Sequence, residues 1–494
     1  MIGTGLDFTI SDGPRRARVR RGRRQSYNPR MDTQKAAAYA AQNYPDFLED
    51  LKTLARIPSV SFPGFDPKEV VRSAEAVAAL CRARGLENVE ILTLPGAHPY
   101  VYADWLHAPG KPTLLLYAHH DVQPAGREEL WKSPPFEPTE RDGRLWGRGC
   151  ADDKAGAVAH TSAIASWLKT HGSLPVNVKL IIEGEEECGS DNLEPFLDKY
   201  AAKVMADAIV LTDTGNFDHD TPSITVALRG LAALDVTVRS MDHPLHSGMW
   251  GGATADPVQA LAKMIASCVD AKGRMTIPGI YKGVSKPGKA AEASLKVLKY
   301  SEKTFRAQSG VFKGTKLMCP PKDLLRSNWY WPSFSVNAIQ ASSKKDCANI
   351  INDSAWAHMG IRLVPGMNAK KSLEALKRHL KKNAPWGVAV EFSGESASPA
   401  WTTDTDAPAF AAARRALEKG YGRASVDMGC GGSIPFVDPF AKALKGAPAL
   451  LIGVEDPLSN PHSENESLHL GMFQKAIASA VYLYAEIAAL PKVK

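Results

Sequence analysis

The sequence runs to 494 residues with 44% apolar and 23% charged side chains, the balance of a globular protein large enough for two or three domains. No run of 18 apolar residues occurs, which excludes a spanning helix, and no apolar segment follows the basic N-terminus as a secretory leader requires. The first 30 residues hold eight Arg and two Asp, so +6 of the net +7 sits there and residues 31–494 sum to about +1, too little for a nucleic-acid-binding body.

That N-terminal stretch, with "GPRRARVRRGRRQSYNPR", reads as a disordered basic extension. It is the one segment suited to nucleic acid or anionic lipid. Seven scattered cysteines without a C-x-x-C pair point to reduced thiols in a cytoplasmic protein.

From residue 31 the chain alternates. Helical spacing in "FLEDLKTLARI" stops at Pro58, and a second helix covers about 68–84. "TLLLYAH", "VNVKLIIEGEE" and "ADAIVLTD" read as strands, separated by an amphipathic helix, "AGAVAHTSAIASWLKTHG", and a shorter one, "DNLEPFLDKYAAK". Strands and helices in this order predict an α/β domain with a mostly parallel sheet covered by helices.

Near 220 the pattern changes. "SITVALRGLAALDVTVRS" has the period of half-exposed antiparallel strands. A helix ("ADPVQALAKMIASCVD"), a Lys- and Gly-containing segment (272–325) and a strand ("PSFSVNAI") follow. Then come a helix ("DCANIINDSAWAH"), a strand ("HMGIRLVPG"), a helix ("AKKSLEALKRHLKKN") and a strand ("GVAVEFSG"). The split β-α-β pattern of ferredoxin-like units accounts for this order. After about 400 the α/β alternation resumes with "DAPAFAAARRALEKGYG", "APALLIGVE" and a closing helix. The expected organisation is thus a basic extension (1–30), a discontinuous α/β domain (31–220 and 398–494) and an inserted α+β domain (221–397).

Polar groups cluster where apolar strands end. In "YAHHDVQP", strand alternation puts His119 and Asp121 on one face and His120 on the other. A carboxylate two residues from an imidazole can orient it as a metal ligand. "GRGCADDKAG" sets Asp152 beside Asp153 in a glycine-rich turn, where adjacent carboxylates repel unless a cation neutralises them. "EGEEECGS" follows a strand directly, "LTDTG" brings Asp213 to a third strand end, and "NPHSENE" offers His462 in a polar loop. Strand ends are where α/β sheets bind ligands. Histidines and carboxylates of this kind make a donor set for borderline divalent cations, and a shared carboxylate could hold two. Cys150 and Cys188 flank these motifs; they read as packed neighbours rather than thiolate ligands, since carboxylate and imidazole already fill the shells.

In this order, "HHDVQP", "GRGCADDKAG", "EGEEECGS", "LHSGMWGG", "GGSIP" and "PHSENE" resemble the di-zinc peptidases and deacylases. That family includes carnosinase-type dipeptidases, glutamate carboxypeptidase, aminoacylase and acetylornithine deacetylase; "DVQP", "LHSG" and "RLVPG" lean toward its dipeptidase branch. The resemblance implies two zinc ions per subunit, with manganese or cobalt as substitutes. His119, Asp152 and Asp213 would hold one, and Asp152, Glu187 and His462 the other. Asp121 would orient His119, Glu186 would be the general base, and the Asp152–Asp153 peptide bond would be cis. Glu183 and Glu185 receive no catalytic role. The inserted domain would be a dimerisation domain, and His246 would steady the oxyanion in the partner subunit's site. On sequence alone, His246 is only a loop histidine. Arg362 would pair with a substrate carboxylate, while Asn337, Gly432 and Ser433 would contact substrate.

Two positions depart from the family: Ala118 stands where a glycine is usual, and Gly429-Cys430 stand where relatives often carry Arg-Glu. The activity implied is metal-dependent hydrolysis of dipeptides or short peptides. Its rival is deacylation of N-acyl amino acids at the same groups.

Overall fold

The large sheet is built around the strands that carry the polar clusters. Thr113–His119 is buried almost throughout and runs parallel to Asn177–Glu183 on one side and to Ala208–Leu211 on the other. The computed structural model describes residues 31–345, 347–432 and 437–491, except the side chain at 438; the basic extension and Ser433 lie outside them. Residues 33–494 form one compact unit.

Among the described residues the large sheet has nine strands. Their order is Glu87–Leu92, Tyr100–Trp105, Asn177–Glu183, Thr113–His119, Ala208–Leu211, Ala449–Leu451, Ser223–Leu228 and Trp401–Thr402, with Val426–Cys430 also paired to Ser223–Leu228. The sheet is mixed: its centre, from Asn177–Glu183 to Ala449–Leu451, is parallel, and antiparallel pairs flank it. On one face lie the helices Pro67–Ala83, Lys154–His171, Pro408–Tyr421 and Leu470–Ala488. On the other, Phe196 and Phe440 pack on Tyr100, Tyr117, Leu115 and Ile209.

Chain order after Leu228 explains the second sheet. The chain leaves the large sheet there and returns at Trp401. Between them, Ser333–Gln340, Ser354–Leu363, Gly230–Arg239 and Ala389–Ser398 form an antiparallel sheet in that order. Helices Pro257–Ala266 and Ala369–Lys382 cover one face, burying Leu234, Val236, Met359 and Ile361. This is the ferredoxin-like arrangement of the split β-α-β pattern.

Three elements differ from the sequence reading. The described residues of "DCANIINDSAWAH" contain no helix: Ile350–Ile351 pairs with Leu245–His246, and Ser354–Leu363 is a strand. Ala355, Ala357, Met359, Ile361 and Leu363 alternate with less buried neighbours, a period of two that outweighs the helical look of the segment. Lys154–His171 is not amphipathic but buried on nearly every side through Trp167, because helices pack on its outer face as well. "APALLIGVE" yields only the three-residue strand Ala449–Leu451 and a later bridge at Glu455.

Two glycines are required by close approach. A Cβ at Gly156 would stand 2.1 Å from Thr212 Oγ1, and one at Gly453 would stand 1.3 Å from the Thr214 carbonyl. Both contacts press neighbouring elements against the segment that bears Asp213.

The core also holds imidazoles that burial keeps neutral. His160 bonds the Tyr117 carbonyl at 3.2 Å, and burial pushes it down to about 4. A histidine depressed in the folded state resists protonation while the unfolded chain accepts it, so stability is lost as pH falls from the unfolded value toward the folded one. We expect His160→Gln, which keeps a donor and removes the titration, to lose about 2 kcal/mol less stability than wild type between about pH 7 and pH 5. Urea unfolding at the two pH values measures this, and equal losses would refute the assignment.

Candidate metal centre

Strand register brings the site together. His119 stands level with Glu183 in the ladder, and the turn after Glu183 carries Glu185, Glu186 and Glu187. Asp213 follows Leu211 at the same edge of the sheet, and Glu455 follows Leu451. Helix Lys154–His171 begins at this edge, capped by Asp153, whose carboxylate accepts from Gly156 N at 3.2 Å and Thr212 Oγ1 at 3.0 Å. The Asp152–Asp153 peptide bond is cis.

Asp152 lies at the centre. One of its oxygens is 3.0 Å from His119 Nε2 and the other 3.1 Å from His462 Nε2. His462 Nε2 is also 3.2 Å from Glu187 Oε2. Ligand atoms of His119, Asp152 and Asp213 lie within 4.8 Å of one another, and so do those of Asp152, Glu187 and His462. Two triads therefore share one carboxylate. His120 turns the other way and bonds the Pro99 carbonyl at 3.0 Å, as strand alternation requires.

The charge balance tests whether cations fit here. Burial, reinforced by Asp152, pushes Asp213 up to about 7 and raises Glu187. Burial and Asp213 raise Glu186 well above the carboxylate range. Hydrogen bonds to Asp152 and Glu187 push His462 up to about 11. The acids thus repel one another and pull protons onto the imidazoles of His119 and His462. Divalent cations relieve that repulsion, and imidazole nitrogen with carboxylate oxygen is the donor set they take.

Supporting groups hold these side chains in place. Asp121, fully buried, lies 3.4 Å from His119 Nδ1 and accepts from Ser61 Oγ at 2.7 Å. It also accepts from the backbone N–H groups of Glu186 and Glu187, at 3.2 and 3.0 Å. Gln123 donates to Glu187 through its backbone at 3.2 Å and its side chain at 2.8 Å. Glu183 bonds the Tyr117 and Tyr100 hydroxyls beneath the site. Cys150 and Cys188 belong to neither triad.

The substrate-side candidates are spread out. Arg362 lies on the second sheet, level with Ser333, and its charge bears on Arg229. Arg229 in turn bonds the carbonyls of Ser327 and Trp331, and its backbone N–H donates to the Gly432 carbonyl. Arg362 and Gly432 thus converge around Arg229. Asn337 sits exposed at a bulge between Val336 and Ala338. His246 is exposed on a short strand paired with Ile350–Ile351, where its Nδ1 accepts from Gly248 N at 3.1 Å; that side-chain bond lies within its own turn rather than in the cluster.

Sequence reasoning missed Glu466. This carboxylate is fully buried and accepts from Gly149 N at 3.0 Å, Ala151 N at 2.9 Å and Asp152 N at 3.1 Å. Arg148 Nη1 pairs with it at 2.7 Å. The second acid of "PHSENE" therefore fastens the His462 loop to the Asp152 turn. The signal was its place four residues after His462 in a loop already singled out. Glu466→Gln puts an amide donor among these N–H groups. We expect a stability loss of about 3 kcal/mol and roughly 10- to 100-fold weaker zinc binding. Chelator competition checks the second figure; unchanged affinity would leave Glu466 a purely structural group.

Comparison with known proteins follows the same geometry. The model of Peptidase family M20/M25/M40 matches residues 115–489. A cysteinylglycine-S-conjugate dipeptidase of Corynebacterium striatum is 33% identical over 379 residues, 75% of this chain and 80% of its own length. A Cys-Gly metallodipeptidase of Schizosaccharomyces pombe is 30% identical over 455 residues, 87% of this chain and 93% of its own. The crystal structure of human carnosine dipeptidase 1 matches with a TM-score of 0.81 at 27% identity, over 94% of this chain and 100% of that one. The matched span takes in every member of the two triads, and the chain belongs to Peptidase family M20/M25/M40.

Proposed function

We propose that the protein is a dinuclear-metal dipeptidase that hydrolyses dipeptides and short peptides. The observation that carries this reading is the single carboxylate, Asp152, offering one oxygen to each of two triads. His119, Asp152 and Asp213 hold one cation, and Asp152, Glu187 and His462 the other. Zinc suits these nitrogen and oxygen donors, and manganese or cobalt accepts them too. When bound, such a pair supplies an acidified water and polarises the carbonyl to be cleaved.

The chain's own groups do the rest. Glu186 belongs to neither triad, and its raised proton affinity suits a base that takes a proton from water and returns it to the leaving amine. Asp121 keeps His119 oriented. Arg362 receives the substrate carboxylate through its guanidinium, with Asn337, Gly432 and Ser433 as further substrate contacts. His246 steadies the oxyanion of a partner subunit's site. That role makes the working form a homodimer joined through the inserted domain, expected at 221–397; because Ser223–Leu228 belongs to the large sheet, the insertion begins after Leu228 and ends before Trp401, and the parts on either side form the catalytic domain. The names of the relatives, dipeptidases of cysteinylglycine conjugates, Cys-Gly and carnosine, support the substrate class. Seven unpaired cysteines suit a reducing, cytoplasmic setting, and no described helix is long and apolar enough to cross a membrane.

The rival reading, an N-acyl-amino-acid deacylase, would use the same triads and base. A panel of dipeptides against N-acetyl and N-succinyl amino acids, with products identified, separates the two. We expect turnover of the dipeptides; turnover confined to acylated amino acids would overturn the dipeptidase reading. Glu186→Gln should retain two metal ions per chain by elemental analysis while kcat falls by about a thousandfold. A variant with full metal content and undiminished kcat would remove Glu186 as the base.

A further inference from the structure

Glu455 has no part in the mechanism above. Its backbone runs beside the segment that carries Asp213. Glu455 and Gly215 form a parallel bridge, Asn216 N donates to the Glu455 carbonyl at 2.8 Å, and Glu455 N donates to the Thr214 carbonyl at 3.4 Å. Gly215 has no side chain, and the atom nearest to where a Cβ would stand is Glu455 Cβ, at 4.0 Å. The Glu455 side chain therefore leaves the backbone beside Gly215, two residues from Asp213. The four charged groups that bear on it most are all carboxyls: Asp152, Asp213, Glu466 and Asp153.

Among the described residues, none of the groups around it carries a free positive charge. Cys430, whose thiol senses the Glu455 charge, is uncharged. Arg229, whose charge bears on Cys430, is engaged with the Ser327 and Trp331 carbonyls. Arg148 and Arg144 are paired with Glu466 and Asp456. Two divalent cations would balance Asp152, Glu187, Asp213 and the base Glu186, and would leave the charge of an ionised Glu455 without a counterpart among the described residues.

A dipeptide brings the missing charge. Its α-ammonium stands two bonds from the carbonyl carbon under attack, so a group that recognises it must lie beside the cations. An N-acyl amino acid has no positive charge at that place. We infer that Glu455 receives the α-ammonium of the substrate and thereby selects free amino termini over acylated ones. This inference rests on the peptidase reading above and deepens it. Arg362 and Glu455 then answer the two ends of a zwitterionic substrate, the carboxylate and the ammonium.

The test uses a pair of compounds differing only in the ammonium group, alanyl-glycine and propionyl-glycine. Their ratio of kcat/KM is measured on the zinc-loaded full chain for wild type, Glu455→Gln and Glu455→Asp. Calorimetry of the uncleavable ketomethylene analogues, with and without the amino group, reads the same preference without turnover. The preference for the amine should fall by about 30-fold in Glu455→Gln and be largely kept in Glu455→Asp, in both measurements. A Glu455→Gln protein with the wild-type preference, or one weakened equally toward both compounds, overturns the assignment. A wild type that cleaves neither compound, yet binds the amine analogue more tightly in a Glu455-dependent way, removes the peptidase reading and leaves the ammonium site standing.

Discussion

The structure turns on the repulsion among carboxylates gathered at one edge of the large sheet. Asp152, Asp213, Glu186 and Glu187 are brought within reach of one another by strands whose apolar residues leave them no other direction to face. Buried like charges at such distances are unfavourable by several kcal/mol unless protons or cations intervene. The ordinary cations of proteins are kept out of the triads. Arg148 and Arg144 are committed to Glu466 and Asp456, and Lys154 donates to the Leu54 and Ile57 carbonyls at 3.0 and 2.7 Å. What remains are two imidazoles, one at each side of Asp152.

Fixing such a cluster requires support from distant parts of the chain. Glu466 ties the loop of His462 to a turn more than three hundred residues earlier, accepting from three consecutive-turn N–H groups at once. Asp121 does the same locally, coupling His119 to the backbone that presents Glu186 and Glu187. Gly453, pressed against the Thr214 carbonyl, sets the depth at which Asp213 stands. Glu466 and Asp121 are buried acceptors surrounded by donors, the condition under which buried polar groups hold a geometry instead of loosening it.

How much of this is visible in the sequence depends on the range of the signal. Period-two alternation already separates His119 from His120, because a strand's side chains alternate whatever its neighbours are. The polar strand ends are legible for the same local reason. The segment 346–358 misleads because "CANII" and "AWA" are compatible with a helix, and only pairing with Gly230–Arg239 and Ser333–Gln340 decides in favour of a strand. The helix at 154–171 looks amphipathic since Ser, Thr and His punctuate it, yet small hydroxyls bond back to the preceding turn, as Ser166 does to Ser162 and Thr161 to Ala157, and so tolerate burial. Glu455 carries no local mark, and Glu466 only its place in the loop of His462. An acid in a loop looks the same whether it cradles backbone N–H groups, faces a cleft or faces water.

Charge also explains why the acids left without a partner are poor candidates for a structural role. Replacing a buried ion pair by apolar groups is often neutral or stabilising, and the chain has ample apolar core elsewhere, from Tyr117 and Phe440 on one sheet to Met359 and Leu376 on the other. A fold needing only stability would have filled the edge beyond His119 and Glu183 with such residues. The acids there divide into those whose partners are complete, such as Glu466 and Asp121, and those whose partners are not, such as Asp213, Glu186 and Glu455. The complete ones organise the backbone. The incomplete ones find no such partner among the described residues, and that division separates the scaffold from the groups left for chemistry at this site.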